Sequence, residues 1–232
     1  MKIVINEKMI RRNARIGQIA TLGGLAILAG GMIISFRKQE LFLIAWASLI
    51  LGFILSQIGI YFGNRWGRSP RPDEKLNQAL KGLDDRYTIY HYTTPISHLL
   101  IGPAGIWVLL TRHQRGKVTY EKGRYRLKGG GIFQTYLRIF AQEGIGRPDL
   151  EIPADVQTAQ TFLKKGLPDD ELPPIQVALV FLNDNAELDI NDAPYLTVGA
   201  RKLKEYIRKS AKGKALSPEK VKEVETAIDN IK

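Results

Sequence analysis

The chain has 232 residues, of which 44% are hydrophobic and 25% charged, and its formal net charge is +11. It contains no cysteine, which excludes disulfide bonds and thiolate metal sites. A strongly basic chain ordinarily indicates a nucleic acid or an anionic surface as partner. Residues 1–72, however, hold ten Lys and Arg against two Glu, which leaves only +3 for the rest of the chain and little evidence for nucleic acid.

Two apolar runs, Ile16 to Phe36 and Leu41 to Phe62, contain no charged residue. A helix rises about 1.5 Å per residue, so a hydrocarbon core of about 30 Å takes about 20 residues. The four residues from Arg37 to Glu40 suffice only for a turn. The sequence therefore predicts a transmembrane helical hairpin.

Cations predict the orientation of this hairpin. Five Lys or Arg precede the first run and three follow the second, whereas the turn carries two cations offset by Glu40. Lys- and Arg-rich flanks stay in the cytoplasm, so we expect both termini there. A cleavable signal peptide is the competing interpretation, but the apolar stretch is long and Ile33 to Phe36 lacks a small-x-small cleavage site.

Small residues recur at four-residue spacing in both runs: Ala20 with Gly24, Ala26 with Gly30, Gly52 with Ser56, and Gly59 with Gly63. Such pairs let helix backbones approach closely. They predict packing of the two spans on each other, and the alternative is that they also build a homo-oligomer.

From Asp73 the chain has the composition of a soluble domain. A helix is predicted to begin at Asp73 and to end before Gly82. Strands are predicted at Tyr87 to Tyr92, His98 to Ile101 and Ile106 to Leu110, with Gly102 to Gly105 as a turn.

The later elements follow from the same patterns. A polar strand pair is predicted around Lys122 to Arg124, and a short amphipathic helix over residues 132–140 that packs on the core or lies in the membrane interface. The remaining predicted elements are a helix from Ala154 to Lys165, a buried strand from Ile175 to Leu182, a strand near Tyr195 to Val198, and a helix from Ala200 to Ser210.

The last segment predicts one more helix. Ser217 is a good N-cap with Pro218 after it, and Val221, Val224, Ile228 and Ile231 repeat at helical spacing. We expect this stripe either to pack back on the domain or to contact a partner.

The order of these elements resembles the nuclease-related domain (NERD) family, which belongs to the PD-(D/E)XK restriction-endonuclease-like superfold. The resemblance covers about Asp73 to Lys209 and depends on Glu74, the run from Ile96 to Val108, the step from Arg115 to Val118, Gln157 and the strand ending in Phe181. It implies a mixed α/β sheet with flanking helices.

Active members of that superfold carry an acidic residue on the second strand and an acidic-x-Lys pair on the third, which hold Mg²⁺. The positions that match this motif here are Ser97, Leu110 and Arg112, and Glu74 is the acidic residue that remains. Leu cannot ligate a metal, and Arg stays protonated, so it can bind phosphate but cannot act as a base. The resemblance therefore implies a degenerate site without a metal cofactor.

Neither the nearby carboxylates nor the histidines are predicted to replace the missing metal ligands. Asp84, Asp85 and Asp155 lie near in sequence, but Asp84 and Asp85 are ordinary turn formers. The three histidines, His91, His98 and His113, show no metal-ligand spacing.

A basic segment is the candidate contact surface. Its cations lie close together in sequence with Tyr120 and Tyr125 between them, which suits single-stranded nucleic acid, anionic headgroups or simple solvation. The cations are Arg112, Arg115, Lys117, Lys122, Arg124, Arg126 and Lys128. A second group, from Arg201 to Lys214, is predicted to be the exposed face of a helix.

The sequence thus predicts an anchor over residues 1–72, a NERD-like domain over 73–210, and a linker with an amphipathic helix over 211–232. We expect a binding or scaffolding module at the cytoplasmic face of the membrane, in contact with lipids and with a weak nucleic-acid or protein partner. The alternative is a membrane-tethered, Mg²⁺-dependent nuclease with a rearranged site. A third interpretation, a lipid-binding or purely structural protein, differs in having no affinity for nucleic acid.

Overall fold

A computed structural model describes residues 1–128, 144–168, 172–213 and 215–231. The described chain forms two compact units, a helical unit of Glu7–Arg71 and an α/β unit that combines Met1–Asn6 with the chain from Pro72 onward. The short helix predicted over residues 132–140 lies outside the described residues.

The helical unit is a hairpin of two helices, α1 (Glu7–Arg37) and α2 (Phe42–Phe62). A short 3-10 helix, Gln39–Leu41, joins them, and a π-helical turn, Gly63–Gly67, follows α2. Both helices are long and apolar enough to cross a membrane, a test of length and composition that a core helix or a signal sequence also passes.

Glycines bring the two helices of the hairpin together. A Cβ added to Gly24 would lie 3.1 Å from the Gly52 carbonyl oxygen, and one added to Gly59 would lie 2.9 Å from the Thr21 backbone nitrogen. Only glycine fits so close a backbone approach. A Cβ on Gly30, in contrast, would meet nothing within 4 Å, so the Ala26 and Gly30 pair is not part of this contact.

The α/β unit is built on a six-stranded mixed sheet in the order β1-β2-β3-β4-β7-β9. Its strands are β1 (Lys2–Ile5), β2 (Thr88–His91), β3 (His98–Gly102), β4 (Gly105–Arg112), β7 (Ile175–Phe181) and β9 (Leu196–Gly199). β3 and β4 form an antiparallel hairpin, and β7 runs parallel to β4. Gly105, with a φ of +101°, closes the predicted turn between β3 and β4.

A second, three-stranded sheet has the order β6-β5-β8. It consists of β5 (Gly116–Glu121), β6 (Arg124–Lys128) and β8 (Ala186–Asp189). Lys122 and Gly123 both have positive φ in the turn between β5 and β6, as a two-residue hairpin turn requires.

Helices cover both faces of the six-stranded sheet. α3 (Pro72–Ala79) and α5 (Ala200–Gly213) pack on one face through Leu76, Leu203 and Ile207. α4 (Pro148–Leu163) and α6 (Pro218–Ile231) pack on the other, together with residues of the smaller sheet. The predicted class, a mixed α/β sheet with flanking helices, is confirmed.

The structure differs from the sequence prediction at three places. β1 lies within residues 1–72 yet joins the sheet of the α/β unit by parallel pairing with β2, so the anchor begins after it. β8 was not predicted, and α4 begins at Pro148 rather than Ala154. Pro148 lies in the first helical turn, where proline is tolerated, and Pro153 lies inside the helix. The predicted C-terminal helix is present, and the Ser217 hydroxyl accepts a hydrogen bond from the Lys220 backbone N–H at 3.2 Å.

Candidate functional site

The matched motif positions on β4 face the α4 side of the sheet. Leu110 is 6% exposed and belongs to the core beneath α4 and α6, together with Val108 of the same strand. Because strand side chains alternate, Arg112 lies on the face of Leu110. The structure therefore places these two residues side by side, as an acidic-x-Lys motif would be.

Arg112 is held by three contacts within the α/β unit. Its guanidinium donates to the Ile145 carbonyl oxygen and to that of its neighbour Thr111, both at 3.0 Å, and to the Glu151 carboxylate of α4 at 2.6 Å. Only 14% of the Arg112 side chain is exposed. The Glu151 carboxylate neutralises this cation, which weakens the attraction of Arg112 for phosphate. The predicted phosphate-binding role of Arg112 stays a prediction.

Ser97 precedes β3 and lies at the same end of the sheet. The paired register of β3 and β4 begins at Leu99 and Val108, so Ser97 lies outside it, in a bend of the chain. The Ser97 carbonyl oxygen accepts a hydrogen bond from the Tyr92 backbone N–H at 3.0 Å.

Glu74 lies on the other side of the sheet. It belongs to α3, whose Leu76 packs into the core on the face opposite Leu110. The structure thus places Leu110 and Arg112 on one face of β4, leaves Ser97 in the bend before β3, and separates Glu74 from Leu110 by the sheet.

The residues at this place do not fit the Mg²⁺ that active members of the superfold hold. Mg²⁺ requires oxygen ligands in near-octahedral geometry, whereas Leu110 offers none and Arg112 places a cation there. Among the described residues, no group of three or more His, Asp or Glu side chains could hold a metal ion. The Glu151 carboxylate is near, but it is engaged by Arg112.

The carboxylates considered as migrated ligands have other partners. Asp84 accepts two hydrogen bonds from the Arg86 side chain, the shorter at 2.7 Å, and these lower the pKa of Asp84. Asp85 accepts a hydrogen bond from the Met1 amino group at 3.0 Å. Both are consistent with turn residues rather than ligands.

A buried polar chain links α3 to β2 and β3 on the sheet face opposite Leu110. His91 and His98 are cross-strand neighbours, 0% and 2% exposed, with their Nδ1 atoms 2.8 Å apart. His91 Nε2 lies 3.0 Å from Asn77 Oδ1. In a neutral His91 whose Nε2–H donates to Asn77 Oδ1, Nδ1 is an acceptor, so His98 Nδ1 is the donor. Sequence reasoning missed this pair because only the register of β2 and β3 brings the two rings together.

The basic segment is only partly free to bind. Lys117 donates to Asp189 at 2.8 Å, which raises the pKa of Lys117 and lowers that of Asp189, and Lys128 pairs with Glu121. The side chains of Arg115, Arg124 and Arg126 are exposed. Of the five predicted binding residues, Arg112 and Lys117 form ion pairs within the α/β unit, whereas the other three form none among the described residues. The binding roles stay predictions.

Two cations of α5 contact backbone carbonyls next to α3. Lys204 Nζ donates to the Lys81 carbonyl oxygen at 3.0 Å, and the Arg208 guanidinium donates to that of Gly82 at 2.6 Å. These carbonyls follow the C-terminal end of α3, where cations stabilise a helix. This agrees with the prediction that the second basic group is a helix face.

A groove of about 740 Å³ lies at the other end of β4 and β7. Its lining is uncharged and includes Gln157, Gln160, Gln176, Trp107 and Tyr195. Gln157, which carries part of the family resemblance, therefore lines a groove without a titratable acid or base other than the Tyr195 phenol.

Comparison with family models, with curated proteins and with solved structures found no match to this chain.

Proposed function

We propose that this chain is a membrane-anchored module whose α/β unit is a restriction-endonuclease-like domain that does not cleave nucleic acid and acts by binding or scaffolding. The observation that carries the proposal is the Arg112–Glu151 ion pair beside Leu110. It fills the place of the carboxylate and lysine that this chemistry needs.

The order of elements supports the family assignment. α3, the strands β2 to β4, α4 and β7 follow one another as the resemblance implies, with β3 and β4 antiparallel and β7 parallel to β4. Fold alone does not assign an activity, so the argument against cleavage depends on the residues at the end of β4.

The chemistry argues against hydrolysis at this place. A bound metal lowers the pKa of water from about 15.7 to near 7 and so supplies hydroxide at neutral pH. Leu110 provides no ligand and the Arg112 guanidinium repels a divalent cation. Without metal, the residues here provide no other route to activated water.

The membrane location is supported by the two apolar helices and by the cations that flank them. In this proposal both termini and the α/β unit are cytoplasmic, and the residues from Arg37 to Glu40 form the outer turn. The helices contact lipid, and their small residues pack the hairpin.

Protease shaving of right-side-out cells tests the location. Tags at either terminus should survive, whereas a protease site inserted beside Gln39 should be cut. Carbonate extraction of the same membranes should leave the protein in the pellet. Digestion of either terminal tag, or release by carbonate, would contradict the proposed anchoring.

A further inference from the structure

The exposed face of the three-stranded sheet changes from basic to acidic across its strands. On β6, Arg124, Arg126 and Lys128 alternate in sequence, so they share one face at a spacing of about 7 Å. Glu121 of β5 and Glu187 and Asp189 of β8 lie on the same face by register. The positive charge is therefore concentrated along the β6 edge.

Two arginines of this edge take no part in the ion pairs that the described residues form within the α/β unit. Lys128 pairs with Glu121, and Lys117 with Asp189. In the part of the chain that the structure describes, no ion pair involves Arg124 or Arg126, and both side chains are exposed. We call Arg124 and Arg126 the β6 arginines.

Among the residues that the structure describes, no aromatic side chain accompanies the β6 arginines on their face. Tyr125 is 4% exposed and its hydroxyl lies 3.1 Å from Thr197 Oγ1, while its ring contacts that of Tyr120 at 4.9 Å on the core side. Sequence-tolerant binding of single strands relies on bases stacked on exposed aromatic rings. The described part of this face lacks exposed aromatic rings and offers charge.

The connections between the two units are short. Asn6 alone separates β1 from α1, and Arg68 to Arg71 separate the π-helical turn from α3. Four extended residues span at most about 14 Å. A domain on so short a tether meets the lipid headgroups beside its anchor at high effective concentration.

We infer that the β6 arginines dock the α/β unit on the headgroups of anionic lipids next to the anchor. This inference rests on the proposed membrane anchoring and names the partner of the exposed cationic edge. Guanidinium groups bind phosphate oxygens in a bidentate manner. Each Lys or Arg near an anionic leaflet contributes about a fivefold factor in binding.

The test uses the full chain in lipid nanodiscs. Because the chain has no cysteine, Lys122→Cys provides a single labelling site in the turn beside β6. Quenching of a dye at this site by headgroup spin-labelled lipid reports docking. We expect strong quenching in discs with one third phosphatidylglycerol and little in phosphatidylcholine alone. In the anionic discs it should disappear near 1 M salt, where the Debye length is about 3 Å.

Charge reversal identifies the residues. Arg124→Glu with Arg126→Glu should lower the ratio of docked to undocked protein at least about 25-fold. Lys202→Glu with Lys209→Glu is the matched control, since both lysines are exposed on α5, which packs on the opposite face of the six-stranded sheet. This control should leave quenching unchanged.

Three results would overturn the inference. The first is equal quenching in neutral and anionic discs, and the second is equal loss from both charge-reversal variants. The third is an oligonucleotide that binds through the β6 arginines while lipid quenching is insensitive to them, which would assign the edge to nucleic acid. If the charge-reversal variant misfolds, the salt dependence of quenching in the protein with its native arginines tests the inference instead. None of these outcomes affects the extraction and shaving results, so failure here is distinct from failure of the anchoring proposal.

Discussion

The Arg112 guanidinium and the Glu151 carboxylate meet at 2.6 Å, joining the end of β4 to the first turn of α4. The two residues are 39 positions apart in sequence. Their pairing makes Arg112, which the proposed resemblance matches to the lysine of the motif, part of the packing between β4 and α4.

Replacing Arg112 should therefore destabilise the α/β unit. Arg112→Ala removes the donors to the partly buried Ile145 carbonyl and to the more exposed Glu151 carboxylate, and a buried acceptor left without a partner costs about 1–3 kcal/mol. We expect a loss of about 2 kcal/mol in the free energy of unfolding, measured by denaturant titration in detergent. Arg126→Ala, at an exposed position, is the control and should stay within about 0.5 kcal/mol. Equal effects would show that the Arg112 contacts contribute nothing.

The C-terminal helix α6 should be needed for stability of the α/β unit. Val224 and Ile228 are 0% exposed and lie in the core beneath the sheet. Ile228→Ala should cost about 2–5 kcal/mol, the usual range for a buried large-to-small change. Lys222→Ala, on the exposed side of the same helix, should have little effect on the melting temperature. A truncated chain without residues 217–232 that melts like the full chain would contradict this packing.

Glycine in the hairpin gives a paired prediction. Gly24→Val places side-chain atoms where the backbone of Gly52 lies, so it should separate α1 from α2. Gly30→Val meets nothing within 4 Å and should leave the hairpin intact. Thermal stability in detergent measures both variants. If Gly30→Val instead changes the oligomeric state, the outward small residues form a contact between copies of the chain.

Asp149 predicts how stability depends on pH. The ordinary pKa of an Asp side chain is 3.8, and in the folded protein hydrogen bonds from Arg147 lower the pKa of Asp149 below this value. A lowered folded pKa stabilises the protein above the unfolded value, and this contribution is lost as the pH falls through the folded value. Asp149→Asn should therefore melt at a lower temperature than the native chain at pH 7. The difference should vanish well below pH 3.8. A difference that is constant across this range would exclude the ion pair as its cause.

Local chemistry accounts for what the sequence could predict. The turn from Gly102 to Gly105, the hairpin turn at Lys122 and Gly123, and the Ser217 cap each depend on a few adjacent residues, and all three are present. The predicted strands that flank these turns are also present, with boundaries that shift by one or two residues.

Pairing between distant residues accounts for what the sequence could not predict. β1 has only four residues and becomes a strand by pairing with β2, more than eighty positions away. The contacts of Arg112 with Glu151 and of His91 with His98 likewise depend on tertiary register. The partner of a charged residue at a motif position therefore cannot be predicted from the sequence when the two residues are far apart along the chain.

The most direct measurement of the central claim is a cleavage assay on the purified full chain in detergent, with DNA and RNA substrates in Mg²⁺ and in Mn²⁺. The full chain is required because a fragment starting at residue 73 would lack β1. The account predicts no cleavage above the level of a metal-free sample, since Leu110 and the paired Arg112 leave no metal site there. Reproducible cleavage that disappears in EDTA would contradict it and reveal a rearranged nuclease site.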